Sequence, residues 1–393
     1  MLKESVKVPI SLVLETDDLG WDVGEDLRCR GQASRTGMPR RHNIDDYLAL
    51  TRIAETTGKN IAAAIVVGDW DKDNILRGEV GFTHNPYGWD RASEINIAAT
   101  REMIDLIETS GIDYMIHGLL HGRYDESGNR INEKEYLLVK DVDGKPVGYL
   151  PSVEDFEHRL DTFFKIVDSW GMKKKFTGFV NPGYISYAGD DLVKEMTAVL
   201  YRYGVRYWAD PFLAWAPEDG PLKVYNGVAC FRWKMGPTRL PWQAYDINPD
   251  TIATVNGADD TKKSCILGSH WPNFLRYNSK DNFDYLPAWE RFYTRQGNIF
   301  GSMNGDSLAD AVNQTFYHQF ASLTFKDKSI EVDLTKLEGV KLDCHKNEFY
   351  ISVKHGIAPT KCDGGTVSLY DTHDGFDNYK ICHTGTRVEI FFE

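Results

Sequence analysis

Cysteine is scarce in this chain, and the few cysteines are scattered. There are six among 393 residues, and no two of them form a C-x-x-C pair. A disulfide scaffold uses many cysteines in a short secreted chain, so this pattern favours free thiols in a reducing compartment. No apolar run approaches the roughly 20 residues of a membrane-spanning helix, and the first residues lack the apolar region of a signal peptide. We therefore expect a cytoplasmic protein with no membrane partner.

The chain also lacks an excess of basic residues. Its 45 Lys and Arg stand against 58 Asp and Glu, which gives a net charge of −13. Such a surface repels phosphate backbones, so we expect no nucleic-acid partner and favour a neutral or cationic one. The hydrophobic fraction of 42% is ordinary for a globular protein, and the length allows one large domain with a small one.

Apolar runs of strand length alternate with helical patterns as far as residue 315. Predicted strands cover residues 8–14, 61–67, 112–116, 176–180, 205–208 and 264–268, and predicted helices cover 44–57, 92–110, 152–170, 190–203 and 286–294. This alternation predicts an α/β fold, either a parallel barrel or a doubly wound sheet, with its active site just after the strands.

The pattern changes at residue 316. Short β-rich runs between turns then predict a small C-terminal antiparallel β domain over residues 316–393, with strands at 329–334, 340–344, 348–353, 366–370 and 387–392. Two insertions interrupt the first part of the chain. The long loop 68–90 is rich in aromatics and is expected to be functional, and residues 136–150 predict a hairpin around Asp143-Gly144.

Two adjacent carboxylates follow the first predicted strand. Asp17 and Asp18 come directly after the apolar run 8–14 and before Gly20. Like charges side by side raise one another's pKa, and a bound cation relieves that cost. The alternative is an ordinary acidic turn at the end of a strand.

Two histidines follow the third predicted strand at a spacing of four. His117 and His121 would lie on one face if residues 117–121 form a helical turn, so both rings could meet one ion. Asp18 could complete a set of two imidazoles and one carboxylate, which leaves a position open for water on a zinc ion. The alternative is that the two histidines are unrelated.

Two further residues suit proton transfer beside such an ion. Asp17, next to the ion without binding it, would act as the general base; it could otherwise be a second ligand or a cap. His270 follows a predicted strand beside Trp271 and would act as the general acid, although a lone histidine is often structural.

Together these motifs resemble the polysaccharide deacetylases of carbohydrate esterase family four, the NodB-homology family. The segment Glu15-Thr16-Asp17-Asp18-Leu19-Gly20 is similar to the family's T-F-D-D-G, with one residue inserted before the glycine. The segment His117-Gly118-Leu119-Leu120-His121 is similar to H-[ST]-x-x-H, with glycine in place of Ser or Thr, and residues 266–270 resemble the strand and histidine of the fifth motif. The resemblance implies that Asp17 is the base, that Asp18, His117 and His121 bind the metal, and that His270 is the acid.

Two other family motifs are only half present. Val180 stands where the third motif has the arginine that orients and tunes the base, and Tyr207-Trp208-Ala209-Asp210 weakly echoes the fourth. The resemblance covers residues 8 to about 310 and implies a distorted (β/α)7 barrel, here residues 1–315. It also implies a divalent metal, with zinc expected, and the removal of N- or O-acetyl groups from a carbohydrate.

Three other functions stay open. They are a glycoside hydrolase that uses Asp17 with Glu15 or Asp210 and needs no metal, a non-catalytic carbohydrate-binding protein on a deacetylase scaffold, and a metal amidohydrolase acting on a different amide. Aromatic residues make up 12% of the chain, and their faces stack well on sugars, although most must serve in packing. The candidates for substrate-binding walls are Trp70, His84, Trp89, Tyr184, Trp208 and Trp271.

Overall fold

The fold is described from a computed structural model. It describes residues 2–22, 38, 40–183, 189–209, 220, 222–231, 247–251, 264–340 and 342–393. Within these ranges no helix combines the length and the apolar character needed to cross a membrane.

A curled, largely parallel sheet forms the centre of the molecule. In order across the sheet its strands are β11 (Leu222–Tyr225), β12 (Val228–Phe231), β10 (Tyr207–Ala209), β9 (Phe176–Val180), β4 (Ile112–Gly118), β3 (Ile61–Val66), β2 (Ile10–Leu19) and β13 (Ile266–His270), and β14 (Ser302–Asn304) also pairs with β2. Only β11 pairs antiparallel with its neighbour; the other pairings in this sheet are parallel. The predicted α/β architecture is confirmed. Within the described residues no pairing joins β11 to β13, so we describe a curled sheet that is not closed.

Within the part of the chain that the structure describes, five helices cover the outer face of this sheet. They are α2 (Ile44–Thr57), α3 (Ile97–Thr109), α4 (Val153–Ser169), α5 (Asp190–Arg202) and α6 (Leu286–Gly297). Their apolar faces form one core with alternate residues of the strands, such as Leu12 and Leu14 of β2. The ends of α2 are set locally: Asn43 and Asp46 form a reciprocal cap at the start, and Gly58 adopts the left-handed conformation at the end.

On the inner face of the sheet, the described residues that cover it belong mainly to helix α7 (Leu308–Phe320). Its residues Ala311, Val312 and Phe316 pack on Val13 and Met115, which point to the opposite side of the sheet from the outer core. The apolar contact fills one end of the inner face and leaves the carboxyl ends of the strands for polar side chains.

Two antiparallel sheets, formed mostly by the second part of the chain, share one core. We call this pair of sheets the sandwich. One contains β1 (Val6–Lys7), β17 (Glu348–Lys354), β20 (Phe376–His383) and β19 (Gly365–His373), and the other contains β15 (Ser322–Phe325), β16 (Ser329–Asp333), β21 (Arg387–Phe392) and β18 (Pro359–Asp363). Alternate apolar residues of both sheets, such as Ile351 and Ile390, meet between them. The predicted antiparallel C-terminal β region is therefore present. Its other elements are the short helices α1 (Leu2–Ser5) and α8 (Thr335–Glu338).

Three features of the chain differ from the prediction. The boundary predicted between residues 315 and 316 falls inside α7, because this helix faces both cores: Phe316 packs against the central sheet and Tyr317 against the sandwich. Residues 6–7, which the predicted first domain includes, form strand β1, and β1 pairs with β17. The strand predicted at 340–344 is wrong, since the described residues there form turns after α8.

A long excursion between β4 and α4 carries two small hairpins. They pair β5 (Arg123–Tyr124) with β6 (Arg130–Asn132), and β7 (Leu138–Val142) with β8 (Lys145–Tyr149). The second hairpin was predicted from Asp143-Gly144. Both residues have positive φ, at 52° and 75°, as the tight turn between two twisted strands requires.

Candidate metal centre

The predicted chemical residues meet at the carboxyl ends of β2, β4 and β13. Asp17 and Asp18 lie in the last part of β2, His117 lies near the end of β4, and His270 is the last residue of β13. Parallel strands place their carboxyl ends at the same edge of a sheet, which is why residues so distant in sequence come together. Asp18, His117 and His121 are all buried.

A β-bulge directs the two carboxylates of β2. Between Thr16 and Leu19 the strand has one residue more than its neighbour β3, so Asp17 and Asp18 lie opposite the single residue Ala64. Asp18 has a φ of +71°, which an aspartate adopts only where the surrounding structure holds it. The bulge lets two consecutive side chains reach the same end of the sheet, although residues of a regular strand alternate between its faces.

Gly20 makes the turn after this bulge possible. It has a φ of +113°, and a Cβ on it would lie 2.1 Å from the carbonyl oxygen of Val66. No other residue could pass so close to β3 with this backbone conformation.

A second bulge directs His117. Ile116 pairs with Ile65 and Gly118 pairs with Val66, so His117 is an extra residue on β4 with no partner on β3. Two of the three candidate ligands thus lie at irregularities of adjacent strand pairs, where a bulge re-aims a side chain.

The helical turn predicted for residues 117–121 is wrong. His117 belongs to strand β4, and His121 follows in a turn in which Gly118 and His121 have φ values of +105° and +49°. The two rings are nevertheless close, with centroids 4.8 Å apart and planes at 77°. A tight turn after a strand brings them together in place of one helical face.

Three ligand atoms converge in this arrangement. The Oδ1 atom of Asp18 lies 3.6 Å from Nε2 of His117 and 3.8 Å from Nε2 of His121. One ligand atom from each of the three residues lies within 4.8 Å of the others. Two ligands at ~2.1 Å from a zinc ion and at a tetrahedral angle are about 3.4 Å apart, so these separations suit a shared ion better than direct hydrogen bonds.

The surroundings orient His117 for such a role. Its Nδ1 lies 3.0 Å from the carbonyl oxygen of Val180 at the end of β9, so Nδ1–H donates there and Nε2 keeps a free lone pair. Among the described residues, Nε2 of His117 and Oδ1 of Asp18 have no hydrogen-bond partner although both are buried. Buried polar atoms are rarely left unpaired, so the donor set fits a divalent cation. Val180 contributes its carbonyl oxygen at a position where the resembling family has an arginine side chain.

The charges within this centre shift its pKa values in different directions. Burial alone would raise the pKa of Asp18, but His117, His121 and His270 bring it well below its ordinary value. Burial alone would lower the pKa of His117, but the carboxylates of Asp17 and Asp18 bring it above its ordinary value. Asp18 is therefore the ionised carboxylate of the set, the form that binds a metal.

Asp17 and His270 lie side by side next to the three ligands. They are register partners on β2 and β13, and parallel register partners share one face of the sheet. Burial and the charge of the fully buried Glu15 raise the pKa of Asp17 well above its ordinary value, whereas burial lowers the pKa of His270 to about 4. Two neighbouring groups whose pKa values are shifted in opposite directions can act as a proton donor and a proton acceptor.

The aromatic candidates are not brought together at this centre. Trp70, Trp89, Trp208 and Trp271 are at most 3% exposed, and so they offer no open ring face to a sugar. Trp89 donates from Nε1 to Asp71, and Trp271 stacks on His42 at 4.1 Å. For these four the alternative interpretation, packing, agrees with their burial.

The remaining candidates are placed differently. His84 is half-buried, with its ring 5.8 Å from that of Trp89. Tyr184 and Asp210 lie outside the residues that the structure describes.

One residue at the centre was not predicted from the sequence. The carboxylate of Glu135, from the excursion after β4, accepts backbone N–H groups of the turn between His117 and His121. The signal that points to it is an absence: Gly118 cannot provide the side-chain hydroxyl that the resembling motif has at that position.

No protein-family model and no curated protein matches this chain. Among solved structures, it is similar to a family 4 carbohydrate esterase from Streptomyces lividans in complex with acetate, with 11% identity over 75% of this chain and 92% of that chain and a TM-score of 0.33. It is also similar to a GH57-type branching enzyme from Pyrococcus horikoshii, with 10% identity over 77% and 70% of the two chains and a TM-score of 0.42. A mutant of a CE4 family pseudoenzyme with restored enzymatic activity has 10% identity over 78% and 68% and a TM-score of 0.37. All three TM-scores lie below 0.5.

Proposed function

We propose that this chain is a metal-dependent hydrolase that removes an N- or O-acetyl group from a carbohydrate. The observation that carries the proposal is the convergence of buried ligand atoms from Asp18, His117 and His121, with Asp17 and His270 beside them. The choice of an acetylated sugar is supported by the motif resemblance around these five residues. The net charge of −13 agrees with a neutral or cationic substrate.

Asp18, His117 and His121 would hold the ion, and zinc is the metal that we expect from two imidazoles and one carboxylate. When bound, the ion would supply a Lewis acid that polarises the acetyl carbonyl and makes water more acidic. It would also lower the pKa of Asp17, because a nearby cation favours the ionised carboxylate.

Two residues of this chain would move the protons. Asp17 in its ionised form takes a proton from the attacking water, as a general base. His270, on the adjacent strand, would pass a proton to the departing amine or alcohol. Because its pKa of about 4 leaves the ring neutral near pH 7, it would first receive the proton that Asp17 takes from the water. Both residues lie at the carboxyl ends of neighbouring strands on the inner face of the sheet, so the acetyl group would bind over the ends of β2 and β13.

The test is acetate release from N-acetylated and O-acetylated oligosaccharides, together with elemental analysis of the purified full chain. We expect one divalent ion per chain, and Asp18→Ala and His121→Ala should lose both the ion and roughly a thousandfold or more in turnover. His355→Ala is a matched control, because this half-exposed histidine lies in the sandwich and pairs with Asp377. Full activity and full metal content in both site variants would refute the proposal.

A second candidate function rests on Glu15. This carboxylate is fully buried beside Asp17 and raises its pKa, and glycoside hydrolases also use two carboxylates with separated pKa values. Such an enzyme needs no metal, so glycosidic cleavage that resists a chelator would select it. The burial of Glu15 argues against it, because a carboxylate enclosed beneath Asp17 has no access to a glycosidic bond.

A further inference from the structure

The turn between the two histidines is held by a carboxylate from outside the motif. Glu135 is fully buried, and both of its oxygens accept the N–H of Leu119, at 2.8 and 2.9 Å. Its Oε2 also accepts the N–H of Leu120, at 3.0 Å. Two N–H groups of the turn, one of them shared by both oxygens, therefore fix the backbone that connects His117 to His121.

Position 118 has to be a glycine for this contact to exist. A Cβ on Gly118 would lie 2.7 Å from Oε2 of Glu135, and the residue has a φ of +105°. In the resembling motif this position is Ser or Thr, so the two arrangements exclude one another. Here the hydrogen-bonding group comes from the excursion and not from the turn itself.

The carboxylate is itself held firmly in the core. Tyr136 and Leu137, which follow it, are fully buried, and the ring of Tyr136 lies 5.1 Å from Phe156 of α4 and 5.5 Å from Phe179 of β9. A buried arginine, Arg159 of α4, provides compensating positive charge nearby. Glu135 is thus anchored to α4 and to β9, and β9 also provides the Val180 carbonyl that contacts His117.

We propose that Glu135 is a positioning residue for the metal centre, which sets the separation of His117 and His121 so that both can share one ion with Asp18. This inference rests on the proposed function, because it requires the three residues to bind a metal. Groups that orient metal ligands are commonly worth ten- to a hundredfold in metal affinity. Glu135 touches neither the ion nor the substrate, and its effect would reach both through the turn 117–121.

The test compares metal binding by the full chain and its variants. Glu135→Gln replaces one accepting oxygen by an NH₂ group that cannot accept from the turn, and Gly118→Ala introduces the Cβ that collides with the carboxylate. Zn²⁺ affinity is measured by competition with a chromophoric chelator, and the visible spectrum of the Co²⁺-loaded protein reports the geometry of the ligands. Glu126→Gln, an exposed glutamate of the same excursion, is the matched control.

We expect both site variants to bind Zn²⁺ ten- to a hundredfold more weakly with an altered Co²⁺ spectrum, and Glu126→Gln to equal the wild type. A Glu135→Gln protein with a lower melting temperature but unchanged affinity and spectrum would overturn the inference, since Glu135 would then be only structural. If Glu135→Gln does not fold, Gly118→Ala decides by the same two measurements. A wild-type chain that binds no divalent ion would refute the proposed function and this inference together, whereas tight binding in every variant would refute the inference alone.

Discussion

Among the described residues, two groups each place two histidine rings near one oxygen atom. In one group the histidines are within hydrogen-bond distance of that oxygen, and in the other they are not. At the edge of the central sheet, His117 and His121 point at Oδ1 of Asp18 from 3.6 and 3.8 Å. Between α7 and the sandwich, Nε2 of His383 and of His345 lie 2.6 and 3.1 Å from the hydroxyl of Tyr317. We call the first set the rim site and the second the Tyr317 cluster.

The distances separate a site that can receive an ion from one that cannot. The Tyr317 hydroxyl also donates to the carbonyl of Lys346 at 2.8 Å, so the cluster completes its own hydrogen bonds. At the rim site the Nε2 atoms of the two histidines lie beyond hydrogen-bond distance of Asp18 Oδ1, and Asp18 Oδ1 and His117 Nε2 have no partner among the described residues. Similar residue types therefore form an open set of ligand atoms in one place and a closed hydrogen-bonded cluster in the other.

Removing one histidine from each set tests whether the rim site and the Tyr317 cluster differ in metal binding. His121→Ala should lower zinc affinity at least a hundredfold, because it removes one of three protein ligands. His345→Ala should leave zinc affinity unchanged, because the Tyr317 cluster binds no ion. Both variants are titrated with Zn²⁺ by isothermal calorimetry. Equal affinity losses in the two variants would show that the difference in distances has no functional meaning.

The parts of the rim site that were predictable are those that depend on strand ends. Asp18 and His117 follow apolar runs that form β2 and β4, and parallel strands bring their carboxyl ends together whatever their distance in sequence. His270 was placed by the same reasoning. Local patterns could therefore predict which residues gather at this edge.

The geometry of the site could not be predicted in the same way. The two bulges, at Asp17-Asp18 and at His117, depend on pairing with β3, and periodicity within one segment does not show where register shifts. A helical turn was expected for residues 117–121 because a spacing of four suits a helix, but the positive φ values of Gly118 and His121 show another route to the same proximity.

Residues whose role depends on tertiary contacts could not be predicted from the sequence either. Nothing in the sequence distinguishes Glu135 from the other glutamates. Its role follows from the fold, which buries it against the turn between His117 and His121. Tryptophans such as Trp208 and Trp271 stood near turns and strand ends, yet packing against the helices encloses them. The boundary at residue 316 missed α7 because a helix shared by two cores has no compositional break.

A second prediction concerns stability and the metal. If only the folded rim site binds zinc, a hundredfold excess over the dissociation constant should stabilise the chain by about 2.7 kcal/mol and raise the melting temperature by a few degrees. The same addition should not stabilise Asp18→Ala. The measurement is differential scanning calorimetry with zinc and with a chelator. An equal zinc-dependent shift in Asp18→Ala would place the binding elsewhere in the chain.

A third prediction tests the closed character of the Tyr317 cluster. Tyr317→Phe removes the hydroxyl and leaves the Lys346 carbonyl and two half-buried imidazoles without it, so unfolding should become easier by about 0.5–1.5 kcal/mol. Zinc affinity should not change, since the rim site lies at the far edge of the central sheet. Urea unfolding measures the first quantity and calorimetric titration the second. A loss of zinc affinity in Tyr317→Phe would contradict the prediction, because it would show that the Tyr317 cluster affects the rim site.

The smallest expected effect is the pH dependence of the Tyr317 cluster. Burial lowers the pKa of both His345 and His383 below 6.5, their ordinary value, and the neighbouring His383 acts in the same direction on His345. The unfolded chain then binds protons more readily than the folded one, so the stabilisation contributed by the neutral rings is present above about pH 6.5 and is lost as the pH falls below it. His345→Gln/His383→Gln should therefore lose less stability between pH 7.5 and pH 5.5 than the wild type, in urea unfolding with a chelator present to exclude metal binding. An identical loss in both proteins would mean that the protons are taken up elsewhere, and the two imidazoles would then contribute hydrogen bonds without any pH dependence.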